Sequence, residues 1–178
     1  KIFPFSLQSN IIGILFRSFI IISFCEELVK WLFTYVICWK DKNFNYVYDA
    51  IVYCVFISLG FASIENLIAI LSNSGGFTLA LQRGLITVPA HAFFGIISGY
   101  YLGLAKKYEA RRWNKRKRKY IILSLLIPII VHGMFDSLLF LSSTASLLFA
   151  TALIVYLYLS SALKVVKTSS EAKKITRR

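Results

Sequence analysis

Eight polar side chains interrupt the apolar stretches of this sequence, and their types are suited to proton-transfer chemistry. They are Glu26, Glu27, Lys30, Glu65, Asn66, His91, His132 and Asp136. Carboxylates and imidazoles are common general acids and bases. An ionisable group in hydrocarbon is costly unless it finds a partner or a water-filled cavity. We therefore expect these residues to share one polar site.

The local spacing of these residues predicts two pairs. Glu26 and Lys30 are four residues apart, so on a helix they lie on one face and can neutralise each other. His132 and Asp136 have the same spacing, and the carboxylate could fix the tautomer of the imidazole. Glu27 is turned about 100° from Glu26 on a helix and has no evident partner in the sequence. An unpaired buried carboxylate of this kind is a functional candidate.

The elements that must position these residues are helices that cross a membrane. Apolar residues make up 57% of the 178 residues and charged residues only 16%, which is too little to cover a water-facing surface. A helix needs about 20 mostly apolar residues to cross the hydrocarbon core. The predicted spans are Ile11–Trp39, Tyr46–Leu71, Thr78–Leu104, Tyr120–Leu141 and Thr144–Leu163. The fold class is thus an all-α, polytopic membrane helix bundle with about five transmembrane helices.

The predicted spans bring the candidate residues to overlapping depth. Glu26, Glu27, His91 and His132 fall near mid-membrane, while Glu65 and Asp136 lie further outward. We expect one helix-bundle domain over residues 1–163 and a basic tail over residues 164–178. The sequence opens on Lys1 rather than Met, so we expect that the natural chain begins further upstream.

The distribution of positive charge predicts the orientation in the membrane. The net charge is +13, and most Lys and Arg residues lie directly beside apolar spans, in the segment 106–119 and after Leu163. Cytoplasmic connectors carry such an excess and attract anionic lipid headgroups. We therefore expect a multi-pass protein of the plasma membrane with these connectors and the C-terminus in the cytoplasm. A nucleic-acid partner is not expected, because both basic clusters lie beside membrane spans.

Three further residues are expected to have structural roles. Arg17 and Arg83 should extend their long side chains toward the outer interface, where the guanidinium reaches water. Gly95 lies one turn beyond His91 and should allow a neighbouring helix or a substrate backbone to approach closely.

Four motifs resemble those of the PrsW family of intramembrane proteases. The segment from Glu26 to Lys30 resembles that family's EExxK motif, and FASIEN, from Phe61 to Asn66, resembles its FxxxEN motif. HAFFG, from His91 to Gly95, and HGMFD, from His132 to Asp136, resemble its two later histidine motifs. All four occur in order on successive predicted helices.

The resemblance implies a bacterial membrane endopeptidase, distantly similar to CaaX-processing and bacteriocin-processing enzymes. It implies that Glu26, Glu27, His91 and His132 form the catalytic site. The substrate implied is a membrane-anchored protein, and the best-known one is an anti-sigma factor cut first during envelope stress. On this hypothesis Glu27 activates water and the histidines hold that water or the oxyanion. Lys30, Glu65, Asn66 and Asp136 support them, and the sequence leaves open which glutamate of the pair is the base.

Two alternatives to a protease and one cofactor question remain open at this stage. An ion- or proton-coupled transporter also places Glu, Asp and His in mid-membrane, and a non-catalytic scaffold could use the cluster to hold helices together. No cofactor is expected, because the resemblance points to paired glutamates and HExxH is absent. If a catalytic zinc were present, His91, His132 and Glu27 would be its candidate ligands.

Overall fold

The computed structural model of the chain describes residues 10–72, 76–170 and 175. Within these ranges the regular structure is helical and contains no strand. The predicted all-α membrane bundle is confirmed. Because hydrocarbon offers backbone groups no hydrogen bonds, a helix, which pairs them internally, is one of the few structures that can cross it.

The first helix is continuous but not uniform. It consists of α1 (Ile11–Phe16), a π-helical segment (Arg17–Phe24) and α2 (Cys25–Cys38), with helical backbone angles at both junctions. The side chain of Asn10 begins it by accepting a hydrogen bond of 2.6 Å from the backbone N–H of Gly13. A π-helix has more residues per turn than an α-helix and is often found near functional sites. Here it directly precedes the glutamate pair.

The other four helices are each long and apolar enough to cross a membrane. They are α3 (Val47–Ser72), α4 (Gly76–Ala110), α5 (Asn114–Leu141) and α6 (Thr144–Ser170). Their positions agree with the predicted spans, but three of these helices extend beyond the predicted ends of their spans. α4 runs to Ala110 rather than Leu104, α5 begins at Asn114 rather than Tyr120, and α6 runs to Ser170 rather than Leu163. Lys and Arg are good helix formers, so these helices continue into the basic segments.

One end of the bundle gathers the basic connectors and the aromatic residues. The ammonium of Lys106 on α4 donates to the backbone carbonyl of Trp39, which follows α2. Tyr108 stacks on Tyr120 with ring centroids 5.3 Å apart. The backbone N–H of Ile175 donates to the carbonyl of Asn45, before α3. The loop after α2, the loop after α4 and the end of α6 therefore share one end, as their charge predicted.

Close packing of α3 against α4 depends on three glycines spaced one turn apart. A β-carbon added at Gly95, Gly99 or Gly103 would lie within 3.0 Å of atoms of α3. The one at Gly95 would lie 2.9 Å from the carbonyl oxygen of Cys54. Small residues allow such backbone approach in membranes. The close approach expected at Gly95 is thus made by a neighbouring helix, α3. This contact fixes the distance between α3 and α4 one turn after His91.

The Gly99→Ala variant tests this packing. A β-carbon there would lie 2.5 Å from the Ala50 carbonyl oxygen and from the Ile51 α-carbon, backbone atoms that cannot turn aside. We expect the variant to lose about 1 to 3 kcal/mol of unfolding free energy in detergent. Gly84→Ala on the same helix meets no atom within 4 Å and is the matched control. We expect it to keep or raise the thermal midpoint. Equal midpoints for both variants would contradict the packing role of Gly99.

Candidate active site

The structure brings all eight candidate residues into one network of polar contacts. They come from four helices: Glu26, Glu27 and Lys30 from α2, Glu65 and Asn66 from α3, His91 from α4, and His132 and Asp136 from α5. The residues that the predicted spans place at overlapping depth are therefore also close together in the structure.

Lys30 is the junction of this network. Its ammonium nitrogen lies 2.8 Å from Oε1 of Glu27, 2.8 Å from Nδ1 of His91 and 3.4 Å from Oε2 of Glu26. The three N–H donors of a lysine thus have one acceptor each. The side chain is 4% exposed, and the ring of Phe61 lies 4.5 Å from the ammonium. That contact explains why a phenylalanine precedes Glu65 by one turn.

The contacts of Lys30 confirm one expected pair and add a second. The predicted pair with Glu26 is present. Glu27, for which no partner is evident in the sequence, is the closer of the two glutamates to Lys30. Residues three apart on a helix also face each other, and the sequence gives no preference between the two spacings.

The contacts of His91 define its protonation. Lys30 can only donate, so Nδ1 of His91 must accept and carry no proton. The other nitrogen, Nε2, lies 3.1 Å from Oε2 of Glu65 and donates to that carboxylate. The ring is therefore a neutral imidazole with its proton on Nε2, and it is held from both sides.

His132 lies between two carboxylates. Its Nδ1 is 2.9 Å from Oε1 of Glu27, and its Nε2 is 3.4 Å from Oδ2 of Asp136. The expected pairing with Asp136 is present, and the contact with Glu27 is additional. The ring stacks on Phe94, with centroids 4.7 Å apart, so its plane is fixed as well. Lys30 and His132 thus act on the same oxygen of Glu27.

Arg83 also belongs to the site, and its expected reach toward the outer interface stays a prediction. Its Nη2 donates to Oε1 of Glu65 at 2.6 Å, and its Nε donates to Oδ1 of Asn66 at 2.7 Å. A sequence signal exists: Glu65 lies as far before the end of α3 as Arg83 lies after the start of α4. Residues placed in this way in a helical hairpin have equal depth. The guanidinium of Arg17 lies 4.4 Å from the ring centre of Phe140, next to the end of α5, and its expected reach toward the outer interface stays a prediction.

Access to solvent separates the carboxylates. The side chain of Glu27 is 3% exposed, whereas that of Glu26 is 17% exposed and that of Glu65 is 33% exposed. Donor atoms of Glu26, Glu65 and His91 lie within 4.8 Å of one another. We call these three residues, two partly exposed carboxylates and the buried ring of His91, the mouth of the site. Lys30, Glu27 and His132 are all buried, and we call them the dry interior.

The group of donors at the mouth differs from the candidate metal set of the sequence analysis. That set joined His91 and His132 to Glu27, but in the described residues Glu27 and His132 are bonded to each other in the dry interior. The structure groups His91 with Glu26 and Glu65 instead. A water molecule at the mouth would therefore meet one imidazole N–H and two carboxylates of unlike surroundings, which suits hydrolysis by a general base.

Comparisons with known proteins agree with the motifs. Residues 3–163 match the family described as PrsW family intramembrane metalloprotease. Three relatives named Protease PrsW illustrate the likeness. Identity is 42% over 129 residues with that of Halalkalibacterium halodurans, 33% over 164 residues with that of Clostridioides difficile, and 37% over 127 residues with that of Bacillus subtilis.

The extent of these matches limits what they cover. They include 72%, 91% and 71% of this chain, but 57%, 68% and 56% of the three relatives. The matched part of this chain therefore spans little more than half the length of two of the relatives and about two thirds of the third. No solved structure matches the chain. The family match over nearly the whole chain shows that it belongs to the PrsW family of intramembrane proteases.

The Lys30→Ala variant tests the junction of the network. It removes the cation that faces buried Glu27 and leaves Nδ1 of His91 without a donor. Breaking a buried ion pair from one side costs about 3 to 5 kcal/mol. We expect a thermal midpoint in detergent well below that of the wild type. Lys40→Ala, at an exposed position just beyond α2, is the control and should unfold like the wild type. Coincident unfolding of all three proteins would show that Lys30 does not hold the site together.

Proposed function

We propose that this member of the PrsW family hydrolyses a peptide bond in a membrane-anchored protein, with Glu26 as the general base. The observation that carries the proposal is that partly exposed Glu26 has a carboxylate oxygen within 4.8 Å of a ring nitrogen of His91, next to the buried residues of the dry interior. Oε2 of Glu26 faces Lys30 at 3.4 Å, and no contact to its Oε1 is recorded among the described residues. Glu26 therefore has an oxygen available to accept a hydrogen bond from water. The sequence alone had favoured Glu27 for the activation of water.

The proposed reaction needs no covalent intermediate. Glu26 removes a proton from a water molecule at the mouth, and the hydroxide oxygen forms a bond to the carbonyl carbon of the substrate. The negative charge then develops on the carbonyl oxygen, which replaces Oε2 of Glu65 as the acceptor of the Nε2–H of His91. When the carbon–nitrogen bond breaks, Glu26 returns the proton to the leaving amine. Water is consumed and two peptide ends are released.

The dry interior positions the reacting groups in this proposal. Glu27 holds Lys30 and His132, and Lys30 holds Nδ1 of His91 so that the imidazole stays neutral with its proton on Nε2. The positive charge of Lys30 also stabilises the carboxylate form of Glu26 before the reaction. Asp136 fixes the far side of His132. Preorganised groups of this kind stabilise a transition state without reorganising during the reaction.

The family description raises the possibility of a catalytic metal. Glu26, Glu65 and His91 supply the number and types of donors that a catalytic zinc takes. Their surroundings do not fit one. The ammonium of Lys30 already faces Glu26 and His91, and the guanidinium of Arg83 faces Glu65 at 2.6 Å. A divalent cation would meet two positive charges at the same donors, so the proposed reaction uses none.

The proposed substrate is a protein with a single membrane-spanning helix, and an anti-sigma factor is the candidate suggested by the family resemblance. The site supports a membrane-anchored substrate because the three residues of the mouth lie on helices of the membrane bundle. The large apolar side chains on the outside of those helices are exposed, as lipid contact requires; examples are Val36, Leu71 and Phe77.

We further propose that the end of the bundle with the basic connectors faces the cytoplasm of a bacterial cell, where it contacts anionic lipid headgroups. Single cysteines at Asn114 and Ser143, introduced after replacing Cys25, Cys38 and Cys54, test this orientation. These positions lie at opposite ends of α5. A membrane-impermeant thiol reagent added to intact cells should label the cysteine at 143 and spare the one at 114. The reverse pattern would invert the orientation.

The Glu26→Gln variant tests the general base. The amide cannot take a proton from water, so we expect cleavage of a co-reconstituted single-span anti-sigma factor to fall about 10²- to 10⁴-fold. Its thermal midpoint should stay near that of the wild type, because Glu26 is the weaker partner of Lys30. Glu27→Gln should lose both activity and thermal stability. Glu109→Gln, which changes a glutamate outside the site, is the control and should cleave normally. Full activity of Glu26→Gln would exclude it as the base.

Treatment with a chelator tests whether cleavage needs a metal. After prolonged incubation with a strong chelator in detergent, we expect the wild-type rate of cleavage to be unchanged. Elemental analysis of the purified protein should find no stoichiometric transition metal. Loss of cleavage on chelation, restored by zinc or cobalt but not by magnesium, would instead assign Glu26, Glu65 and His91 as metal ligands.

A further inference from the structure

We infer that Arg83 is a positioning residue of the reaction, acting through Glu65 on His91. The inference rests on the proposed function and adds to it a residue that lies in none of the four motifs. Arg83 stands between the FASIEN segment and His91 in the sequence, and its contacts carry the argument.

The two oxygens of Glu65 have separate partners. Oε1 accepts from Nη2 of Arg83 at 2.6 Å, and Oε2 accepts from Nε2 of His91 at 3.1 Å. Arg83 therefore sets the rotation of the carboxylate that holds the proton of His91. The second donor of Arg83, Nε, binds Asn66 at 2.7 Å and prevents the guanidinium from turning. The planar fork of an arginine makes the two contacts from two separate nitrogens, whereas a lysine would have to make both from one nitrogen.

Arg83 lies on a part of α4 that the glycine contacts do not cover. The glycine contacts that hold α3 against α4 lie at Gly95 and beyond, C-terminal to His91. Towards the start of α4, a β-carbon at Gly84 would meet nothing within 4 Å. Arg83 contributes two hydrogen bonds that tie the end of α3, which carries Glu65 and Asn66, to the start of α4.

The charge of Arg83 serves the same purpose. Glu65 lies in the mouth beside Glu26, and two carboxylates without cations would repel each other. Lys30 faces Glu26, and Arg83 faces Glu65. Each carboxylate therefore has its own cation, and Glu65 can stay ionised while it accepts the proton of His91 in a hydrogen bond.

The experiment compares Arg83→Gln, Arg83→Lys, Glu65→Gln and the double variant Arg83→Gln/Glu65→Gln with the wild type. The reconstituted protein and a single-span anti-sigma factor are used well below the thermal midpoint of every variant. We expect Arg83→Gln to lower kcat about 10- to 100-fold with little change in KM, because the bound substrate meets a misplaced His91. Arg83→Lys should recover only part of that loss. The double variant should be no slower than Glu65→Gln alone, since Arg83 acts through Glu65.

Arg17→Gln is the matched control, because Arg17 is a second intramembrane arginine that contacts Phe140 rather than the site. It should cleave at the wild-type rate. If Arg83→Gln keeps the wild-type kcat, or if the losses of the two single variants multiply in the double variant, the inference is wrong. A failure of the proposed function has a different signature, because Glu26→Gln would then cleave normally or the wild type would not cleave at all.

Discussion

The site depends on the contacts that the ammonium of Lys30 makes. Carboxylates and imidazoles cannot gather in the middle of a membrane helix bundle unless a cation offsets their charge and their lost hydration. Lys30 meets this requirement for Glu26, Glu27 and His91 at once. Because a lysine can donate but not accept, it also determines that Nδ1 of His91 is the acceptor. Charge balance and the orientation of the imidazole proton therefore have the same physical source.

The two neighbouring glutamates have different surroundings because a helix turns by about 100° per residue. Glu27 points into the dry interior, where one oxygen accepts from both Lys30 and His132. Glu26 points to the mouth, with only the longer contact to Lys30. One residue is thus suited to hold the site together and the other to exchange a proton with water. Two identical side chains, adjacent in sequence, differ in proposed role because they face regions of different polarity.

Packing of the helices converts these side-chain preferences into a fixed geometry. Gly95, Gly99 and Gly103 bring α4 against α3 below His91, and Arg83 joins the same two helices on the other side of it. His132 is stacked on Phe94 of α4, so α5 is aligned with α4 at the same depth. Each member of the network is held by a helix that is itself packed against the next. This rigidity is what a base and an oxyanion donor need if they are to act without reorganisation.

The sequence by itself determined the all-α membrane fold, the approximate spans and the family, because long apolar runs and motif spacings are local properties of a chain. It also gave the pairs Glu26–Lys30 and His132–Asp136, which follow from helical periodicity alone. Only the tertiary structure decided that Glu27 pairs with Lys30 and His132, that Lys30 reaches His91 and that Arg83 binds Glu65. The reason is physical: periodicity fixes the angle between neighbours on one helix, but not which side of that helix faces the other helices. Here the π-helical segment before the glutamates also changes the rotation per residue, so α-helical periodicity alone does not predict the direction in which the glutamates face.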